Sequence, residues 1–314
     1  NADLGLALCL EVSEALRDDL KLLVMSATLD TGPVATLMGN APIVRSEGRA
    51  FDVTTKWLDK PLPKGTRIAE VTAEHTLAAL QETAGGILVF LPGEGEIRRV
   101  EALLRSTLPS DCTLAPLFGA LDFKAQQAAI APVRSGRKVV LATSIAETSL
   151  TIEGIRIVVD AGRSRRALFD PASGMSRLVT ERVTRAEATQ RAGRAGRVAE
   201  GVAYKLWSKG EDGALAAFAP AEIEAADLTG LALELAIWGS DELAFLTPPP
   251  PHAMEEARNL LRGIGALDHH NKITPHGRAL AAMPLHPRLG HMLQIAGKLA
   301  APLAALASPN VRWT

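Results

Sequence analysis

Short, continuous apolar runs alternate with helical patterns between residues 68 and 207. The runs at 87–91, 138–142 and 155–159 lack polar alternation, which indicates strands that are covered on both faces. Such strands, joined by helices, are typical of a parallel sheet in an α/β domain. Because ligands of this architecture bind at the carboxyl ends of the strands, we expect a site there.

The same patterns divide the whole chain into predicted elements. Helices are predicted at 4–17, 68–82, 96–108, 123–130, 184–194, 227–238, 252–264, 275–283 and 287–306. Strands are predicted at 21–25, 43–45, 51–58, 87–91, 114–118, 138–142, 155–159 and 202–207, with a hairpin formed by 167–170 and 176–180. After residue 210 helices predominate, and a short wing at 266–274 favours an all-α/winged-helix region.

Composition excludes several classes of protein. With 47% hydrophobic residues, 22% charged residues and a net charge of −1, the chain is neither a disordered segment nor a uniformly basic nucleic-acid coat. Its two cysteines cannot build a disulfide framework, and we find no secretion signal, so we expect a cytoplasmic protein. We expect no membrane span, because no apolar run reaches the ~18 residues that one needs.

Positive charge is concentrated in one stretch. Residues 134–197 carry 13 Lys and Arg against 6 Asp and Glu, in a chain that is nearly neutral as a whole. Such a local excess indicates a site for an anion, either a phosphate or a nucleic-acid backbone. A solvated basic face is the alternative, and the motifs within the stretch decide between the two.

The motif at 190–197 reads Gln-Arg-Ala-Gly-Arg-Ala-Gly-Arg. Gln190, Arg194 and Arg197 are spaced i, i+4 and i+7, so on a helix their side chains share one face. Aligned guanidinium groups beside a glutamine suit a triphosphate, because arginine neutralises charge on the γ-phosphoryl group and glutamine orients the attacking water. A surface helix with solvated arginines is the alternative, and the position after a parallel sheet disfavours it.

Hydroxyl side chains crowd the segment 142–153, directly after a buried strand. Hydroxyl and backbone N–H groups at this position can hold phosphate without reading bases. Ordinary helix capping by Ser and Thr is an equally good explanation for this segment taken alone. Capping is the better explanation for a second, shorter example, Ser26-Ala27-Thr28.

Together, the segments 26–28, 88–93, 142–153 and 190–197 resemble motifs III, IV, V and VI of superfamily 2 helicases, in the DEAH/RHA branch. The resemblance extends from residue 1 to about residue 295, and motifs V and VI are highly specific. It implies four regions: the end of a first RecA-like domain (1–50), a second RecA-like domain (51–212), a winged helix (213–286) and the start of a helical bundle (287–314).

The resemblance also implies roles for individual residues. Catalytic contact with the γ-phosphate falls to Gln190, Arg194 and Arg197, with one of the two arginines as arginine finger. The ATP site would include Ser149, Thr151, Glu153 and Ile130, the last at the place where many family members stack an aromatic ring on the base. The nucleic-acid backbone would contact Gly93, Gln126, Thr143 and Ser144, and Ser26 and Thr28 would couple the state of ATP to domain movement.

A helicase of this kind uses ATP with Mg²⁺ and moves on single-stranded RNA or DNA. The P-loop G-x-x-x-x-G-K-[ST] and the acidic DEAH box, which would supply the Mg²⁺ ligands, do not occur in this sequence, and we predict no metal ligand in it. We therefore expect the C-terminal portion of an ATP-dependent RNA helicase that is inactive by itself. The alternative is a nucleic-acid or partner-binding module without turnover; a winged-helix transcription factor is disfavoured, because residues 198–314 are net acidic.

Overall fold

A computed structural model describes residues 2–25, 31–45, 51–133, 135–147, 151–170, 175–240 and 242–303. The chain divides into two compact units. The sheet unit comprises residues 45–166 and 178–219, and the helical unit comprises residues 1–44, 167–177 and 220–314.

The helices and strands are numbered along the chain. The helices are α1 (Ala2–Ala15), α2 (Thr31–Leu37), α3 (Ile68–Glu82), α4 (Glu94–Arg105), α5 (Phe123–Ile130), α6 (Arg185–Gly193), α7 (Lys209–Gly213), α8 (Glu222–Ala225), α9 (Thr229–Trp238), α10 (Pro251–Gly263), α11 (Pro275–Ala281) and α12 (Pro287–Ala296). The strands are β1 (Val53–Leu58), β2 (Gly86–Phe90), β3 (Cys112–Leu117), β4 (Arg137–Ala142), β5 (Ile155–Asp160), β6 (Arg163–Asp170), β7 (Met175–Arg182) and β8 (Gly201–Ser208). Turns of 3₁₀ helix occupy Ser144–Ala146, Arg194–Gly196 and Gly297–Ala300.

The sheet unit confirms the predicted α/β class. Its six strands lie in the order β1-β8-β5-β2-β4-β3, and the paired strands run parallel. The central strand β2 is buried along its whole length, and apolar cores cover both faces of the sheet. The continuous apolar runs thus lie in the middle of the sheet, where the two-sided burial expected of them is realised.

The predicted hairpin is confirmed and is longer than expected. Strands β6 and β7 form a two-stranded sheet, and Arg166 donates to Glu181 at 3.0 Å between them. Strand β6 begins three residues after the end of β5, so the hairpin starts at the carboxyl edge of the large sheet.

Two short strands predicted near the N-terminus are wrong. Residues 21–25 and 42–45 have no regular secondary structure, and the side chains of Leu23 and Val44 are 79% and 91% exposed. A continuous apolar run becomes a strand only when neighbouring strands satisfy its backbone hydrogen bonds. No strand of the described sheet pairs with either of these segments.

In the helical unit, α9, α10 and α11 surround an apolar core that also receives Leu4 of α1. Helix α1 is fastened by Asp3, whose carboxylate accepts from the backbone N–H groups of Leu246 and Thr247. The predicted wing is reduced to one bridge between Leu267 and Ile273. The last helix, predicted over 287–306, is α12 to Ala296, then a 3₁₀ turn at Gly297–Ala300 and helical residues 301–303. The four-region division at residues 50, 212 and 286 stays a prediction.

Among the described residues, no helix is both long and apolar enough to cross a membrane.

Candidate nucleotide and nucleic-acid site

Helix α6 carries the arginine motif and begins where the sequence predicts. Thr184 and Glu187 form a capping box, in which the Glu187 carboxylate accepts from the Thr184 backbone N–H at 2.7 Å. The helix ends at Gly193, and the 3₁₀ turn of residues 194–196 continues the chain toward β8. The motif is therefore divided between two kinds of helix, so the three arginines lie in different environments.

Arg191 lies in the interior of the sheet unit, with 1% of its side chain exposed. Its Nε donates to Glu147 Oε1 at 2.7 Å, and its Nη1 donates to Asp160 Oδ1 at 2.9 Å and to the Arg163 carbonyl at 3.1 Å. The guanidinium also lies 5.0 Å from the ring centroid of Phe90. Burial would lower the pKa of Arg191, but the two carboxylates outweigh it and raise that pKa, so the side chain is charged.

Arg194 is also buried, and its Nε donates to the main-chain carbonyl of Glu147 at 3.0 Å. Its Nη2 donates to the same carbonyl oxygen. Burial, and then repulsion from Arg197, lower the pKa of Arg194 to about 10. Two guanidinium groups thus lie close enough to repel each other, and an anion between them would relieve that repulsion.

Arg197 is exposed, and its Nη1 donates to Thr151 Oγ1 at 3.3 Å. Gln190 is half-buried, and Glu153 is exposed two residues after Thr151. The structure thus brings Arg194, Arg197 and Thr151 together, as expected. Thr151 and Glu153 precede β5, so this part of the site lies at the amino edge of the sheet, whereas the architecture alone favours the carboxyl edge.

The nucleic-acid candidates lie at the carboxyl edge. Thr143 follows β4 and precedes the turn of residues 144–146; it is half-buried, and Ser144 is exposed. Thr143 and Ser144 thus lie at one edge of the sheet, and Thr151 lies at the other. Ser149, Ser26 and Thr28 lie outside the described residues, so their predicted roles stay predictions.

Gly93 precedes α4 at the end of β2, and the Arg165 side chain lies directly over it. A Cβ at residue 93 would come within 2.6 Å of the Arg165 guanidinium carbon, so the glycine lets that side chain approach the backbone. Arg165 in turn contacts Glu96 at 3.5 Å. This arrangement joins the loop after β2 to the first strand of the hairpin.

Two further candidate residues, Gln126 and Ile130, make contacts within the sheet unit. The Gln126 side-chain amide donates to the Leu121 carbonyl at 2.8 Å, which fixes it beside the loop before α5. Ile130 ends α5 and is half-buried against the apolar core that contains Leu88, Phe90 and Val140. Its contacts in the structure are those of a core residue, and its predicted role at the nucleotide base stays a prediction.

Three residues at this site escaped the sequence analysis as individual site residues: Glu147, Asp160 and Arg191. Each is a charged residue that is buried beside an opposite charge. For Asp160 the signal in the sequence was an acid directly after the apolar residues 157–159, since a charge in such a place needs a buried partner. Glu147 follows a segment of mixed polarity and gave no such signal. Within the described residues, no group of three or more His, Cys, Asp or Glu side chains could hold a metal ion.

Comparisons with known proteins agree with this geometry. The family described as helicase conserved C-terminal domain matches residues 69–199. The ATP-dependent RNA helicase HrpB of Escherichia coli is 47% identical over 296 residues, which cover 93% of this chain and 36% of HrpB. The pre-mRNA-splicing factor ATP-dependent RNA helicase prp22 of Schizosaccharomyces pombe is 36% identical over 95% of this chain and 27% of that protein.

Among solved structures, the crystal structure of the Escherichia coli DEAH/RHA helicase HrpB superposes with a TM-score of 0.91 at 45% identity. That match covers 99% of this chain and 41% of the HrpB chain. This chain therefore spans well under half the length of the relatives that it matches. Residues 69–199 match the helicase conserved C-terminal domain, and the chain as a whole is similar to DEAH/RHA helicases in sequence and in fold.

Proposed function

We propose that this chain is the C-terminal part of an ATP-dependent RNA helicase and supplies the arginine side of its ATP site. The observation that carries the proposal is the pair formed by Arg194 and Arg197, in which a buried guanidinium lies beside an exposed one that reaches Thr151. A polyphosphate is the natural ligand for such a pair, because it neutralises both charges at once.

In this proposal, Arg197 stabilises the charge that develops on the γ-phosphoryl group, and Arg194 binds the same phosphate chain from a fixed position. Gln190 orients the attacking water, and Ser149, Thr151 and Glu153 lie near the ribose. The fixed position of Arg194 is supported by its two donations to the Glu147 carbonyl. A side chain that is held before the ligand arrives loses little entropy when it binds.

Nucleic acid would bind at the other edge of the sheet, through Gly93, Gln126, Thr143 and Ser144. Exposed hydroxyl and backbone groups contact phosphates without distinguishing bases, so we propose single-stranded RNA as substrate with no sequence preference. The names of HrpB and prp22 as RNA helicases support RNA over DNA. Competition between RNA and DNA oligonucleotides of the same sequence tests this choice.

Mg²⁺ would enter with ATP, held by the phosphates and by a P-loop and an acidic box on the parent protein. The described residues carry no suitable group of carboxylates for the ion, so they fit the triphosphate and not the metal. The 314-residue chain alone would bind nucleic acid without turnover. Hydrolysis of ATP by the purified chain would contradict this division of the site.

Replacement of Arg197 by Ala in the parent protein tests the proposal. We expect a fall in ATP hydrolysis of ~10³-fold or more, as is typical of an arginine finger. Arg99→Ala is the matched control, because Arg99 is an exposed arginine on α4 whose partner is Glu96. Turnover that is equal in the two variants would remove Arg197 from the mechanism.

We also propose that the protein is cytoplasmic. The proposal is supported by the two cysteines, which are both free thiols in the structure, since a reducing compartment keeps thiols in this state. Cell fractionation with detection of the protein tests it, and recovery in the secreted or membrane fraction would contradict it.

A further inference from the structure

Glu147 binds two arginines of the same motif through different groups. Its side-chain carboxylate accepts from Arg191 at 2.7 Å, and its main-chain carbonyl accepts from Arg194 at 3.0 Å. All three side chains are buried or nearly so. The position of Arg194 therefore depends on a residue that lies outside the motif.

Glu147 occupies a particular place along the chain. Its backbone N–H donates to the Ser144 carbonyl at 2.9 Å, at the end of the 3₁₀ turn that presents Thr143 and Ser144. Four residues later, Thr151 accepts from Arg197. The segment that carries the candidate nucleic-acid contacts is thus bonded to both candidate phosphate-binding arginines.

Arg191 fixes this segment to the rest of the sheet unit. It joins Glu147 to Asp160 at the end of β5 and to the Arg163 carbonyl at the start of β6. Its guanidinium is a planar fork that reaches several acceptors at once, and a lysine ammonium in its place would reach fewer of them. One buried residue therefore bonds the segment after β4, the end of β5 and the start of the hairpin.

The charges of this cluster predict which substitution the fold tolerates. Arg191 contributes one positive charge, and Glu147 and Asp160 contribute two carboxylates. Burial raises the pKa of Glu147 against the opposing effect of Arg191, and Glu187 raises it further. Neutral Gln at position 147 would leave Arg191 paired with Asp160, so we expect Glu147→Gln to fold.

We propose that Glu147 and Arg191 are positioning residues that transmit the occupancy of the nucleic-acid edge to the phosphate-binding arginines. The inference rests on the proposed function, because it assumes that Arg194 and Arg197 bind ATP and that Thr143 and Ser144 contact RNA. A shift of the turn at residues 144–146 displaces the Glu147 carbonyl, and with it Arg194. Both residues act through Arg194 and touch neither substrate.

The test compares ATP hydrolysis by the parent protein with and without saturating single-stranded RNA. For Glu147→Gln, we expect the ratio of the two rates to fall by about 5- to 20-fold, within the usual range of coupling between two sites. We expect Arg191→Lys to lower the ratio similarly, and the double variant to be no worse than Arg191→Lys, because both changes break one connection.

Two controls separate positioning from a merely structural role. Glu101→Gln removes a carboxylate that pairs with Arg98 and Arg105 on α4, and it should leave the ratio of rates unchanged. The Arg137 guanidinium donates to three main-chain carbonyls near the end of α3, and Arg137→Lys weakens these hydrogen bonds. This variant should have a lower melting temperature but an unchanged ratio of the two ATP hydrolysis rates. Hydrogen exchange of the amides of residues 143–147 supplies a readout besides activity, and it should increase in Glu147→Gln.

The outcomes are distinguishable. If RNA stimulates the unmodified protein and Glu147→Gln retains the full ratio, the positioning role is refuted while the proposed function stands. If RNA does not stimulate the unmodified protein, the proposed function fails first. If Glu147→Gln melts early and loses both rates in proportion, the residue supports the fold alone and the inference is refuted.

Discussion

The two glycines of the arginine motif should respond oppositely to the same substitution. A Cβ at Gly196 would lie 2.7 Å from Val53 Cγ2 and closer still to the Phe51 carbonyl oxygen, which belongs to the backbone and cannot move aside. A Cβ at Gly193 would meet no heavy atom within 4 Å among the described residues. Gly193 also has helical dihedral angles, with φ −58° and ψ −18°, which alanine adopts without strain.

The magnitudes follow from these contacts. Forcing an extra methyl into a packed place costs about 1–3 kcal/mol. The Gly196 carbonyl accepts from the Phe51 N–H at 2.8 Å, so a shift that relieves the clash weakens a bond worth about 1 kcal/mol. Against this, replacing Gly by Ala stabilises by about 0.4–1 kcal/mol through the unfolded chain. We expect Gly196→Ala to destabilise by about 1–4 kcal/mol and Gly193→Ala to stabilise by up to about 1 kcal/mol.

Urea denaturation followed by tryptophan fluorescence measures both changes, because Trp57 and Trp207 lie in the core of the sheet unit. The dependence of the unfolding free energy on urea should be the same in both variants, so that the shift in midpoint reports stability. Equal midpoints for Gly196→Ala and Gly193→Ala would refute the reasoning. Such a result would mean that a Cβ at residue 193 is as crowded in solution as one at residue 196.

Two further predictions concern buried polar contacts. Burial raises the pKa of the Asp227 carboxyl, but hydrogen bonds from His286 and Thr229 outweigh burial, so that pKa is lowered. The ionised carboxylate therefore stabilises the helical unit above about pH 4, and this stabilisation is lost as the pH falls further. Asp227→Asn should cost about 1–3 kcal/mol at pH 7, and the gap to the unmodified protein should narrow in urea titrations below pH 4; a constant gap would contradict this. Arg137 donates to three carbonyls near the end of α3, so Arg137→Lys should destabilise by about 1–2 kcal/mol in the same assay, and an unchanged midpoint would contradict the role of the fork.

Sequence patterns predicted the centre of the sheet and the start of α6 closely, for local reasons. The run at 87–91 is apolar at every position, and it became the fully buried β2. Thr184 and Glu187 stand at the spacing of a capping box, which specifies a helix start without help from the rest of the fold. Residues 22–25 are also apolar at every position but form no strand, because an apolar run favours burial without providing the neighbouring strands that would pair with it.

The site was predicted less completely, because identical residue types in one motif are not distinguished by sequence. Arg191 lies in α6, Arg194 begins the 3₁₀ turn and Arg197 follows it; the first two side chains are buried and the third is exposed. Spacing placed Arg194 and Arg197 on one helical face, whereas in the structure Arg194 begins a 3₁₀ turn and is buried, and Arg197 follows that turn and is exposed. The spacing of the motif could not show that Arg191 forms buried ion pairs with two carboxylates, those of Glu147 and Asp160.

The bonds between Arg191, Glu147 and Arg194 give a structural reason for an arginine in the motif that has no proposed contact with a ligand. Burial, and then the nearby charge of Arg197, lower the pKa of Arg194, and its guanidinium donates twice to one main-chain carbonyl. That carbonyl belongs to Glu147, whose side chain accepts from Arg191. We therefore expect loss of Arg191 to displace Arg194 and to weaken the phosphate binding that we propose for Arg194, although Arg191 itself makes no proposed contact with phosphate.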